Sequence, residues 1–99
     1  MSLELSAHSL VVATPDHVAC ELAGDTIILN LADGIYYGLD EVGARIWALL
    51  GTRRTVEEIH RVLLTEYEVE STRCERDLLA LLGQLAERAL IEVTHAAVV

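Results

Sequence analysis

The chain has 99 residues, enough for one ordinary domain with a single modest core. Hydrophobic residues make up 53% of it, and the formal net charge is −9. There is no Lys, and residues 1–44 carry seven acids (Glu4, Asp16, Glu21, Asp25, Asp33, Asp40, Glu41) and no Arg, which argues against a nucleic-acid phosphate backbone as partner and favours a neutral or basic one.

Residues 1–16 read as a lead-in, in which "SLVVAT" (Ser9 to Thr14) is a short extended segment ended by Pro15. It has no basic n-region followed by an apolar run, and no apolar run in the chain approaches the ~20 residues of a membrane span. The expectation is a soluble cytoplasmic protein without a membrane partner.

Three strand-like runs follow: "HVACELA", "TIILNLA" and "IYYGL", separated by Gly24-Asp25 and Asp33-Gly34. Asp-Gly between apolar runs is a strong hairpin signal, because a type I′ turn needs positive φ at both central residues. Two-residue turns at these places predict a register of Leu22 with Ile27, Cys20 with Leu29, Leu31 with Tyr36 and Leu29 with Gly38. One face then holds Val18, Cys20, Leu22, Ile27, Leu29, Leu31 and Tyr36, with Gly38 leaving room beside Tyr36. The other holds Glu21, Ile28, Asn30, Ile35 and Tyr37. The first face is the more apolar and is expected to be the covered one.

Three helices follow. Asp40 is a good N-cap for the first, with Val42, Ile46, Leu49 and Leu50 on one stripe and Gly51 at its end. Thr55 and Glu58 form a capping box for the second, and Thr72 and Glu75 for the third, which runs to about Ala89. The third helix repeats Cys74, Leu78, Leu81, Leu82, Leu85 and Ala89, a stripe wider than one packing contact requires. "LIEV" (Leu90 to Val93) closes the fold, leaving residues 94–99 as a tail. The expected architecture is α+β: a three-stranded antiparallel meander followed by three helices, winged helix-turn-helix-like, with residues 17–93 as the domain.

The residues that could carry chemistry do not assemble into a site. His8, His17, His60 and His95 have no His, Cys or carboxylate at metal-ligand spacing beyond Glu57–His60, which reads as a solvated helix face. Cys20 and Cys74 read as reduced, largely buried thiols. There is no glycine-rich phosphate loop. The sequence therefore points away from an enzyme, a metal and a cofactor. A wide apolar stripe opposite the third strand, which is an edge in a meander, instead makes a groove in which a peptide can add as a further strand.

The ordered series "DGIYYGLDEVGARIWALL", "RTVEEIHRVLLTEYEV" and "RDLLALLGQLAERALIEV" resembles the PqqD-like family, over about residues 17–93. The elements that carry the likeness are Gly34, Tyr36, Tyr37 and Leu39; Ile46 and Trp47; Thr55, Val56 and Ile59; and Leu85, Leu90 and Ile91. The resemblance implies a non-enzymatic recognition element for the leader of a ribosomally made precursor peptide, laid as an added strand against the third strand. Carried over by position, it implies peptide contacts at Ile35, Tyr36, Tyr37, Arg73, Cys74, Asp77, Leu78 and Leu81. A discrete chain of this kind resembles the leader-binding protein of lasso-peptide biosynthesis, which serves a transglutaminase-like cysteine protease acting as leader peptidase, and a cyclase. The alternatives are a peptide chaperone for a radical-SAM maturase, as in pyrroloquinoline quinone synthesis, and a winged-helix DNA-binding or dimerisation domain. Against DNA stands the balance of Arg73, Arg76 and Arg88 by Glu75, Asp77 and Glu87. One departure from the family is Ala89, where Gly often precedes the final Leu.

Overall fold

The structure, a computed structural model, describes residues 5–15, 17–23 and 25–95. The chain runs β1 (Ser9–Ala13), β2 (His17–Leu22), β3 (Asp25–Asn30), β4 (Tyr36–Leu39), α1 (Glu41–Leu49), β5 (Arg54–Thr55), α2 (Val56–Glu66), α3 (Ser71–Glu87) and β6 (Ile91–His95). It is mixed α+β, with the expected antiparallel meander β2-β3-β4 and three helices. The extended segment at "SLVVAT" is β1, and it pairs with β5 on one side and β6 on the other to make a second small sheet.

Both hairpins differ in register from the sequence expectation. Leu22 pairs with Asp25 and Cys20 with Ile27, so the first hairpin closes earlier than expected, with Leu22 rather than Ala23 as the last residue of β2. Ala23 has φ +54°, the left-handed backbone that a tight hairpin needs. Gly24, like Glu4, Asp16 and the tail positions 96–99, lies outside the described residues. In the second hairpin Leu29 pairs with Tyr36 and Ile27 with Gly38. The loop is longer than Asp33-Gly34 because side chains take over its backbone donors. Asn30 Oδ1 accepts from the Ala32 N–H at 2.9 Å, and Asp33 Oδ1 accepts from the Ile35 N–H at 2.9 Å.

The larger correction concerns which sheet face is covered. The two faces are grouped as expected, since pairing moved by an even step and parity survives. The helices, however, cover the face of Ile28, Asn30, Tyr37 and Leu39, while Val18, Leu22, Leu31 and Tyr36 are exposed. Leu39 decides this. It immediately precedes Asp40, whose carboxylate caps α1 by accepting from the Gly43 N–H at 2.7 Å, so the chain enters the helix with Leu39 turned into the core. Ile28, Asn30 and Tyr37, which share the parity of Leu39, follow it inward. Asn30, the polar member of that face, is satisfied: its Nδ2 donates to the Arg88 carbonyl at 2.8 Å, fastening β3 to the end of α3.

The core joins Ile28 and Leu39 to Ile46, Trp47 and Leu50, to Val56, Ile59 and Leu63, and to Leu78, Leu82 and Leu85, with Val11, Leu90 and Ile91 from the second sheet. Each fully buried Leu or Ile contributes about 1.5–3 kcal/mol by transfer from water. Thr55 caps α2 as expected, its hydroxyl accepting from the Glu58 N–H at 3.1 Å. The third helix is capped differently: Glu70, not Thr72, is the N-cap, accepting from the Thr72 and Arg73 N–H groups at 3.1 and 2.8 Å. A carboxylate outcompetes a hydroxyl there because it is charged and faces the positive end of the helix.

The end of α3 is a Schellman turn. The Leu90 N–H bonds the Leu85 carbonyl at 2.9 Å and the Ala89 N–H bonds the Ala86 carbonyl at 3.0 Å. Ala89 lies at φ +57°, so the departure from Gly noted in the sequence falls on a position whose backbone favours Gly.

Candidate functional site

The strand β4 is an edge: it pairs with β3, and no other strand among the described residues pairs with it. The Asn30 N–H bonds the Ile35 carbonyl at 3.0 Å. Antiparallel bonding alternates along a strand, so with Asn30–Ile35 and Ile28–Tyr37 as bonded pairs, the N–H and C=O of Tyr36 and Gly38 point away from β3. These are the groups that an added strand would meet.

Beside this edge lies a cleft of about 730 Å³. Its floor is apolar, from Ile46, Leu63, Leu78 and Leu81. One wall is the run from Tyr37 through Gly43, and the other is the start of α3 with Tyr67 to Glu70 before it. Six of the eight predicted residues line it: Tyr37, Arg73, Cys74, Asp77, Leu78 and Leu81. The other two do not. Ile35 sits in the loop with its N–H and carbonyl bonded within the hairpin, and Tyr36 projects from the opposite sheet face, so only Tyr36 reaches the open edge, through its backbone. Sequence reasoning missed the contribution of Leu39, Val42 and Ile46 and that of Tyr67 and Val69. Val42 shares the helical stripe of Ile46, which was the signal the sequence offered, and the structure leaves it exposed at the cleft.

Tyr37 closes one end of the cleft. Its hydroxyl donates to Gln84 Oε1, and the Arg88 guanidinium lies 5.9 Å from its ring centroid. The open end lies toward the first turns of α3. Asp40 and Glu70 line it but are engaged as helix caps, and the backbone donors of Arg73 and Thr72 hold the Glu70 carboxyl below the usual carboxylate range. Arg73 is the cation among the described residues lining the cleft.

Cys74 brings a free thiol to the cleft. Burial, reinforced by Asp77, pushes the Cys74 thiol up, away from the nucleophilic thiolate. Cys20 is exposed rather than buried, and neither Cys is in a disulfide. His60, expected to be solvated, is instead largely buried and donates from Nε2 to the Ser71 carbonyl at 3.0 Å, fastening α2 to α3. Among the described residues no group of His, Cys, Asp and Glu could hold a metal ion, and no helix is long and apolar enough to cross a membrane.

Comparison with known proteins places this geometry. The profile of coenzyme PQQ synthesis protein D (PqqD) matches residues 25–91. Among solved structures, TbiB1 in complex with the TbiA(beta) leader peptide is 36% identical, with a TM-score of 0.73 over 87% of this chain and 99% of that one. Lasso peptide synthetase B1 complexed with the leader peptide is 27% identical, with a TM-score of 0.73 over 83% and 96%. The solution structure of the PqqD truncation of Methylobacterium extorquens PqqCD, a stand-alone recognition element for ribosomally synthesised, post-translationally modified peptides, is 21% identical with a TM-score of 0.74 over 90% and 95%, and supports the fold alone. No curated protein sequence matches the chain.

Proposed function

The chain belongs to the PqqD family, and on that premise we propose that it binds the leader of a ribosomally made precursor peptide, without catalysis, for delivery to a separate leader peptidase and cyclase in lasso-peptide biosynthesis. The observation that carries this is the coincidence of a free strand edge at Tyr36 and Gly38 with an apolar cleft running along it. The leader lies antiparallel or parallel to β4 and its main chain bonds the outward groups of Tyr36 and Gly38. Alternate side chains turn into the cleft over Leu78 and Leu81. Backbone bonds are worth about 0.5–1.5 kcal/mol each net, and micromolar affinity needs about 8 kcal/mol. One or two leader side chains, aromatic or proline, must therefore fill the cleft. Arg73, at its open end, receives a leader carboxylate.

The fold makes no demand on the Arg73 side chain, because its contribution to the α3 cap is the backbone N–H. Arg73→Glu should therefore fold and weaken binding of a fluorescein-labelled leader of the cognate precursor, read by fluorescence polarisation. Wild-type affinity in the folded variant would remove Arg73 from the site. No saturable binding of the leader by the wild type would end the reading altogether. In the same preparation, mass spectrometry should find the precursor unchanged after incubation with this chain alone; cleavage or ring closure would contradict the non-catalytic role.

A further inference from the structure

The meander has a second free edge. In the order β2-β3-β4, β2 pairs with β3 alone among the described residues. The Ile28–Tyr37 pair turns the Ile28 backbone toward β4, so Ile27 and Leu29 bond the other way, to Cys20 and Val18. The N–H and C=O of Ala19 and Glu21 therefore point away from the sheet, and both residues are exposed. Edge strands are ordinarily blunted by Lys, by Pro or by a bulge. β2 has neither Lys nor Pro, and its six residues pair one to one with β3, without a bulge.

A groove of about 540 Å³ lies beside this edge, between β2 and α1. Ala19, Glu21 and Thr26 line it from the sheet, and Glu41, Arg45 and Trp47 line it from α1. Trp47 is held in place by the His17 ring, which meets it edge-on with centroids 4.8 Å apart. The Arg45 charge is already spent, because its guanidinium makes a two-pronged bond to the Glu66 carboxylate at 2.7 and 2.8 Å. Glu21 and Glu41 make no ion pair among the described residues, so the groove stays acidic.

We propose that β2 is a second strand-addition site, and that it takes an extended basic segment of a partner protein, with Lys or Arg on the side chains that face the groove. This goes beyond the leader-binding reading and does not depend on it. Side chains alternate along an added strand, so every second one turns into the groove. A Lys or Arg there meets Glu21 and Glu41 with its head and lays its stem against Trp47. A second copy of this chain would instead bring its own acids, Glu21 and Asp25, to an edge that is already acidic. The two edges of one sheet thus select opposite charge: the cleft beside β4 offers the cation Arg73, and the groove beside β2 offers two unpaired acids. Charge keeps the two extended segments apart.

The test uses the full-length chain and a fluorescein-labelled synthetic peptide alternating Arg with Val, read by fluorescence polarisation, with a peptide alternating Glu with Val for comparison. Wild type should bind the Arg peptide saturably, and the Glu peptide at least about tenfold more weakly. Ala19→Pro separates strand addition from general attraction to a chain of net charge −9, because it removes one outward donor and leaves both the charge and the β2–β3 ladder unchanged. It should bind the Arg peptide about fivefold more weakly, while Ala19→Ser, which keeps the donor, binds as wild type. Circular dichroism confirms the fold of each variant. Amide exchange by NMR needs no variant: the Arg peptide should slow exchange at Ala19 and Glu21 and leave Tyr36 and Gly38 unchanged. No saturable binding, equal binding of the two peptides, wild-type affinity in folded Ala19→Pro, or protection at Tyr36 and Gly38 instead would each overturn the proposal. So would a wild-type dimer in sedimentation that Ala19→Pro dissolves, since the edge would then belong to a second copy. Labelled leader should bind Ala19→Pro as it binds wild type; weaker binding in the folded variant would return this edge to the leader site and overturn the proposal as well.

Discussion

The Tyr37 hydroxyl donates to the Gln84 side-chain carbonyl across the gap between β4 and α3. This one bond connects the edge strand to the helix that walls the cleft, 47 positions along the chain. Tyr37 thus fixes the width of the cleft at its closed end.

A double-mutant cycle tests that role. Tyr37→Phe and Gln84→Leu should each cost less than about 1 kcal/mol in urea denaturation, because the bond is exposed. The double variant should lose no more than the worse single one, giving a coupling energy of about 0.5–1 kcal/mol. Additive losses would show that the two residues do not act through this bond.

The turn after α3 offers a stabilising change. Ala89 holds a left-handed backbone at φ +57°, which costs a non-glycine residue roughly 1–2 kcal/mol. Ala89→Gly removes that cost and gives back part of it as unfolded-chain entropy, for a net gain of about 0.5–1 kcal/mol. Thermal unfolding should shift upward by a few degrees with leader binding unchanged. A lower midpoint would mean that the Ala89 methyl group contributes more than its backbone costs.

The cap at Glu70 predicts a pH signature. The backbone N–H groups of Arg73 and Thr72 depress its folded pKa. A depressed carboxyl contributes stability above its unfolded pKa, and that contribution is lost as pH falls through the folded one. Glu70→Gln should therefore melt lower than wild type at neutral pH, and the two curves should converge in acid below the usual carboxylate range. A gap that persists unchanged at pH 3 would assign the difference to something other than the charge.

Some of this was legible in the sequence and some was not, for identifiable reasons. The caps at Asp40 and Thr55 were readable because each is settled within three residues by its own side chain. The Thr72 cap was misread because Glu70, two residues earlier, is the stronger competitor for the same donors. The period-two pattern sorted the sheet residues into two faces, but period alone does not say which face is covered. That was decided by Leu39 at the junction with α1, and the more apolar face was left outside. Of the predicted contacts, Tyr37 and the α3 residues came together around the cleft because helix and strand periods both held. Tyr36 did not, because it follows Leu29 and Val18 outward.

The central claim is that a peptide adds as a strand to the open side of β4, and Gly38 tests it most directly. Its N–H points away from β3, a Cβ added there meets nothing within 4 Å, and its backbone lies outside the left-handed region. Gly38→Pro removes that one donor and leaves the β3–β4 ladder intact, whereas Pro at Tyr37 would break it. Gly38→Ala keeps the donor and serves as control. Labelled leader should bind Gly38→Ala as it binds wild type and Gly38→Pro at least about tenfold more weakly, a difference of about 1.4 kcal/mol. Equal affinity of the leader for folded Gly38→Pro and for wild type would contradict strand addition at this edge.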